Sequence, residues 1–246
     1  MEKYNMEMET ALDTIPGKIM NRIQKNSVVL EFGCAYGRMT KYMKEELQCQ
    51  VYIVELDPEA YAHAIQYAVD GYCGDIETEA WYPLFANCTF DYILFADVLE
   101  HLKNPEKILS LVKTLLGRQG EVIISIPNIA HFDILANLYL NRFQYTKIGL
   151  LDDTHIHFWA KDDLDHFALN AGYQIIDLDG VYIPPYETEQ CVQKDAISED
   201  LEKALQKREL NDLYQFFLVL KKGEEVSAEE IVNRDKLRYF YSYTQA

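Results

Sequence analysis

Asp97, Glu100 and His101 fall within one turn-like stretch, Ala96-Asp97-Val98-Leu99-Glu100-His101, directly after an apolar run. Two carboxylates and an imidazole at that spacing can hold a divalent cation. Alternatively His101 can serve as a base without a metal, since an unperturbed imidazole titrates at about 6.5. A second pair, His155 and His157, lies in Asp152-Asp153-Thr154-His155-Ile156-His157-Phe158-Trp159, and His155 offers a further ligand or the base itself. The same residues admit a structural reading, with Glu100-His101 as a helix-start cap and His157 as a packing residue. A separate stretch carries binding chemistry. Val29-Leu30-Glu31-Phe32-Gly33-Cys34-Ala35-Tyr36-Gly37 reads as a strand ending in an acid, a tight glycine turn and the start of a helix. Such a junction presents backbone N–H groups to a small ligand. Glu55, roughly 20 residues beyond and at the end of the apolar run Val51-Tyr52-Ile53-Val54, suits the paired hydroxyls of a ribose.

The elements that must position these residues alternate between strand and helix. Residues 6–24 read as a helix with Met6, Leu12, Ile15, Ile19 and Ile23 on one face and a break at Pro16-Gly17. Strands are expected at 28–32, 51–55, 72–73, 92–96 and 121–126. Helices are expected at 40–47, at 58–67 behind the Asp57 cap and Pro58, at 105–116, at 130–139 and at 162–171. Two final strands, 173–178 and 213–220, flank a charged helix at 198–210. This order predicts an α/β fold, a doubly wound and mostly parallel sheet. Residues 127–160 form the natural place for a substrate-covering insertion, with aromatics and Arg142 between Tyr139 and Asp153; His131 is a candidate for the acceptor pocket. Ser227-Ala228-Glu229-Glu230 opens a short helix by its capping-box pattern. The aromatic tail Tyr239-Phe240-Tyr241-Ser242-Tyr243 then packs on its own subunit or on a second copy.

The chain has 246 residues, 49% hydrophobic and 26% charged, enough for one well-buried α/β domain with insertions. Its formal net charge of −17 repels polyanions, which argues against nucleic acid and anionic membrane as partners. No apolar run reaches the length of a membrane span, and Met1-Glu2-Lys3-Tyr4-Asn5 lacks a signal-peptide pattern. The 5 cysteines show no Cys-x-x-Cys spacing and read as reduced thiols, so a cytoplasmic protein is expected. Cys34 is expected to pack in the glycine turn.

The segment Val29 to Thr40 resembles motif I of the class I S-adenosylmethionine (SAM) methyltransferases, with Ala35 in place of the family's middle glycine. Alanine preserves close backbone approach if its φ stays negative. Gly74-Asp75, and Phe90-Asp91-Tyr92 with Ala96 to His101 and Asn104-Pro105, resemble later motifs of that family. The resemblance runs from about residue 27 to 220. It implies a Rossmann-like sheet with seven strands, the last inserted antiparallel, and SAM as cofactor. Gly33, Ala35 and Gly37 would shape the methionine end, Glu55 would hold the ribose, and Asp75 with Ile76 would hold the adenine. Glu31, Cys34, Leu56, Gly74 and Ala96 complete the expected cofactor set. The division implied is a helical segment at 1–26, the methyltransferase domain at 27–222 and a tail at 223–246.

The run Asp97-x-x-Glu100-His101, with His155, is similar to the pattern of ubiquinone-pathway and small-RNA 2′-O-methyltransferases, whose residues bind a divalent cation that holds acceptor hydroxyls. This implies Mg²⁺ or Mn²⁺ on Asp97, Glu100, His101 and His155, although Asp97 stands where those families carry the longer Glu. The string from Ile126-Pro127-Asn128-Ile129-Ala130-His131 through Thr154-His155 also looks like bacterial methyltransferases found with cell-surface glycan enzymes. The expectation is therefore methyl transfer from SAM to a small polar acceptor, at a hydroxyl of a sugar or glycan precursor, by a monomer or homodimer. Asp97, His101 and His155 would face the acceptor. Two alternatives stand beside it: a SAM-binding protein without catalysis, and an NAD-dependent oxidoreductase. The oxidoreductase calls for the tighter Gly-x-Gly-x-x-Gly pattern that this chain lacks.

Overall fold

The computed structural model describes residues 11–223. Seven strands, β1 (Val28–Phe32), β2 (Gln50–Glu55), β3 (Asp70–Cys73), β4 (Phe90–Ala96), β5 (Leu116–Pro127), β6 (Tyr173–Tyr182) and β7 (Leu213–Lys222), form one sheet in the order β3-β2-β1-β4-β5-β7-β6. β7 runs antiparallel to both of its neighbours, and the remaining pairings are parallel. The strand order reverses between β1 and β4, so a crevice opens beyond their carboxyl ends, where ligands bind in such sheets. That is the Rossmann-like methyltransferase topology.

Helices cover both faces: α1 (Ile15–Arg22), α2 (Arg38–Glu45), α3 (Pro58–Ala64), α4 (Tyr82–Phe85), α5 (Pro105–Val112), α6 (Phe132–Tyr139), α7 (Lys161–Asn170) and α8 (Glu199–Gln206). The central strands read as nearly continuous apolar runs because both of their faces are buried. On one face Leu30, Phe32, Ile93, Phe95 and Ile124 pack with Trp81 and with α5 and α7 through Ile108, Leu109, Leu164 and Phe167. On the other, Val29, Val51, Ile53, Leu94 and Ile123 meet Ile15, Ile19, Met43 and Ala64 of α1, α2 and α3.

Several boundaries differ from the sequence reading. Pro16-Gly17 does not break a helix. It lies in the first turn of α1, where proline's missing N–H is harmless, and Gly17 N donates to the Thr14 hydroxyl at 3.1 Å. α5 stops at Val112, and β5 begins already at Leu116, because Phe90 at the start of β4 pairs with it. Of the helix expected from residue 6, residues 11–14 form a turn ahead of α1 instead, and its part before residue 11, like the tail beyond Gly223, lies outside the described residues.

Residues 127–160 leave β5, form α6 and return as an irregular run over the carboxyl ends of the strands. Their last part is tied to the loop after β4: Ile156 N and His157 N donate to the Glu100 carbonyl at 2.8 and 3.2 Å. A further strap, residues 183–197, is anchored on buried Asp133 of α6. That carboxylate accepts from Tyr186 N, Thr188 N and the Thr188 hydroxyl.

Candidate active site

The glycine turn follows β1. Gly33 takes φ +68°, and an added Cβ would lie 2.6 Å from Val98 Cγ2, so only glycine lets the loop after β4 approach. Ala35 takes φ +48°, so the condition of a negative φ is not met. A left-handed L-residue is strained by about 1–2 kcal/mol, and here the strain is offset by the Ala35 N–H donating to Glu55 Oε2 at 2.8 Å. Gly37 closes the turn at φ +76° and lies too close to the α3 backbone for any side chain, with Ala64 Cα 2.8 Å from its ideal Cβ position. It thus sets how closely α2 approaches α3. Glu31 is fully buried beneath the turn, accepting from the Thr40 hydroxyl at 2.6 Å, with Oε1 lacking a hydrogen-bond partner. Burial raises its carboxyl to about 7. Cys34 is buried as expected, and burial pushes its thiol far up, which removes it from thiolate chemistry.

Two chambers open at the crevice. The larger, about 540 Å³, is lined by Phe32, Gly33, Glu55, Leu56, Gly74, Asp75, Ile76, Asp97, Val98, His101 and Thr154 among others. Glu55 accepts from Asp57 N at 2.9 Å as well as from Ala35 N, and its carboxylate retains lone pairs for a ligand. Asp75 caps the short turn after β3 through Glu77 N at 2.8 Å and borders the same chamber. Trp81 Nε1 donates to the Ile76 carbonyl at 2.8 Å and its ring meets Phe32 edge-on at 4.9 Å, which fixes the chamber floor. The smaller chamber, about 390 Å³, is lined by the turn residues Gly33 to Tyr36, by Ala96 and Asp97, and by Val181, Ile183, Tyr214 and Gln215 from the β6–β7 side. Gly33 and Asp97 belong to both.

Asp97 begins the loop after β4 with φ +56°. Its N–H donates to the Ser125 carbonyl and hydroxyl, both at 3.2 Å. Its Oδ1 accepts from Ser125 Oγ at 2.9 Å and from Gln215 Nε2. Three residues farther on, Glu100 turns inward. It is completely buried, and neither carboxylate oxygen has a hydrogen-bond partner. Burial, reinforced by the Asp97 and Asp152 charges, holds its carboxyl well above the usual range.

His155 Nε2 stands 3.9 Å from Glu100 Oε1. Its Nδ1 faces the Leu150 carbonyl at 3.4 Å, an acceptor only, so that nitrogen carries the proton and Nε2 offers its lone pair. His101 lies edge-on to His155 with ring centroids 4.9 Å apart, and its Nδ1 faces the Thr154 carbonyl and hydroxyl. Burial and the neighbouring His101 lower the His155 pKa, keeping it neutral.

Glu100, His101 and His155 therefore present donor atoms within 4.8 Å of one another. Asp97, expected in the same ligand set, is outside this group, because Ser125 and Gln215 draw its carboxylate toward β5 and β7. His157 turns away, stacking on Trp159 at 5.6 Å with Nε2 toward the Lys103 carbonyl. His131 lines neither chamber. It is fully buried and caps α6, with Nδ1 accepting from Asp133 N and Nε2 facing the Ile183 carbonyl. The sequence reading missed Ser125, Gln215 and Tyr214, which sit within apolar strands and carry no motif.

A methyltransferase-domain family model matches residues 4–178, and the chain belongs to that family. Solved structures share its fold. The SAM-dependent methyltransferase from Archaeoglobus fulgidus superposes with a TM-score of 0.58, is 17% identical and covers 84% of this chain and 90% of its own. The putative methyltransferase from Bacillus halodurans gives 0.58 at 16% identity over 85% and 98% of the two chains. The ubiquinone biosynthesis O-methyltransferase of Burkholderia thailandensis is 28% identical over 162 residues, 64% of this chain and 68% of its own. The protein is a SAM-dependent methyltransferase. Among the described residues no helix is long and apolar enough to cross a membrane.

Proposed function

We propose that the protein methylates a hydroxyl of a small polar acceptor, a sugar or glycan precursor, with Glu100, His101 and His155 managing the hydroxyl proton. The observation that carries this reading is the buried, unpartnered Glu100 carboxylate facing two imidazoles. A sulfonium methyl is already activated, so nitrogen and carbon acceptors need little more than alignment, whereas an alcohol needs its pKa lowered. Glu55 would take the ribose hydroxyls, Asp75 and Ile76 the adenine, and the Gly33–Ala35 turn the methionine end.

The donor set fits a divalent transition-metal cation such as Mn²⁺ better than the oxygen-seeking Mg²⁺: two imidazole lone pairs and a carboxylate without a hydrogen-bond partner. Such an ion, when bound, would lower the pKa of the acceptor hydroxyl. With an ion bound, Glu100, His101 and His155 would be its ligands; without one, Glu100 and His155 would take the hydroxyl proton and His101 would meet the acceptor from the wall of the larger chamber. Aromatic rings run outward from this cluster. Phe158 lies 6.4 Å from His155, Phe143 6.3 Å from Phe158, and Tyr145 5.3 Å from Phe143. Their faces suit the apolar side of a sugar ring.

Incubation with methyl-labelled SAM and a panel of nucleotide sugars, simple glycosides, catechols and amines tests this. Label recovered as a sugar methyl ether supports the reading. Label on nitrogen, or on a catechol with no sugar turned over, replaces it.

A further inference from the structure

We infer that Asp97 is the residue by which the protein tells SAM from its product S-adenosylhomocysteine (SAH), and that Ser125 and Gln215 are positioning residues that aim it. The two chambers have Gly33 and Asp97 in common. The larger carries the groups suited to an adenosine, Glu55 and Asp75, and the smaller is floored by the glycine turn. SAM joins its adenosine to its methionine half through the sulfonium. A ligand that fills both chambers therefore puts that sulfur where they meet. Gly33 offers only backbone there, so Asp97 supplies the charge that the sulfonium sees.

The carboxylate is fixed in place rather than merely nearby. Its backbone sits at φ +56°, its N–H is held on Ser125, and its Oδ1 is held by Ser125 Oγ from β5 and by Gln215 Nε2 from β7. Strands β4, β5 and β7 thus converge on one anion. A fixed negative charge attracts a sulfonium and gains nothing from the neutral thioether left after methyl transfer. The arrangement favours the methyl donor over the spent product, whatever the acceptor is.

Asp97→Asn is a clean probe, because asparagine tolerates the left-handed region and its amide oxygen can still accept from Ser125 and Gln215. Titration calorimetry of the full chain would use SAM, SAH and sinefungin, an analogue bearing an amine in place of the sulfonium methyl. Asp97→Asn is expected to weaken SAM and sinefungin by about tenfold and leave SAH within about twofold, the size of one lost charge pair in a partly solvated cleft. Unchanged SAH affinity also certifies that the variant is folded. Gln215→Met, which keeps the length and removes the donor, is expected to lower the SAM-to-SAH preference in the same direction by a smaller factor. Equal losses for all three ligands would mean that Asp97 reads the amino acid end they share, and would overturn the inference. No loss for SAM would overturn it as well, and an unchanged preference in Gln215→Met would remove the positioning role.

Discussion

His155 Nε2 and Glu100 Oε1 stand 3.9 Å apart, both side chains buried, and neither Glu100 oxygen accepts a hydrogen bond. The Leu150 carbonyl, an acceptor only, draws the His155 proton to the opposite ring nitrogen. Two electron-rich groups facing each other away from water need a proton or a cation between them. That requirement sets the first prediction. Mn²⁺ is expected to raise the melting temperature of the SAH complex, by about 2.7 kcal/mol of added stability at 100 times its Kd. Glu100→Gln is expected to abolish that increment while SAH still stabilises the variant. A wild-type protein whose melting curve ignores Mn²⁺, Mg²⁺ and EDTA would leave the histidine as a base without metal.

The buried carboxyls make stability depend on pH in an unusual direction. Glu31 rises from the ordinary 4.5 to about 7 on folding, so between those values the folded state binds more protons than the unfolded chain. Its contribution is full below the unfolded value and is lost as pH climbs through about 7, amounting to roughly 3 kcal/mol. Glu100 acts with the same sign. Urea midpoints are expected to fall from pH 5 toward pH 8, and Glu31→Gln to flatten that slope. A midpoint that rises over the interval would show that Glu31 stays ionised in the fold.

The glycine turn carries opposite expectations at neighbouring positions. Gly37→Ala drives a methyl into the Ala64 backbone at a left-handed φ and is expected to cost roughly 2 kcal/mol or more. Ala35→Gly relieves a left-handed alanine and is expected to stabilise by up to about 1 kcal/mol, partly offset by a more flexible unfolded chain. Chemical denaturation of the two variants beside wild type reads both signs.

Glu55 links the two halves of the cofactor site, since it holds Ala35 N and borders the larger chamber. Glu55→Gln is expected to weaken SAM and SAH equally, by about tenfold or more, because both carry the ribose and the turn loses a charge-assisted hydrogen bond. Calorimetry showing a loss confined to SAM would assign Glu55 to the sulfonium instead.

The local features of this chain were legible in its sequence. A strand, a glycine turn and an acid at the next strand tip are contiguous signals, and each follows from short-range sterics and hydrogen bonding around Gly33, Gly37 and Glu55. Nearly continuous apolar runs likewise marked the central strands, since burial on both faces demands them. Glu100-His101 and His155 were visible as candidates, but only the family resemblance implied that they meet. Their meeting depends on the covering segment being pulled down by the Glu100 carbonyl, a contact between distant stretches. Asp97 shows the limit most clearly. Sequence spacing grouped it with Glu100 and His101, yet Ser125 and Gln215 hold it, the latter 118 residues away. Those partners meet because the strand order sets β7 against β5 and β5 against β4. A polar side chain inside an apolar strand carries no periodicity of its own, so only the assembled sheet decides which carboxylate it aims.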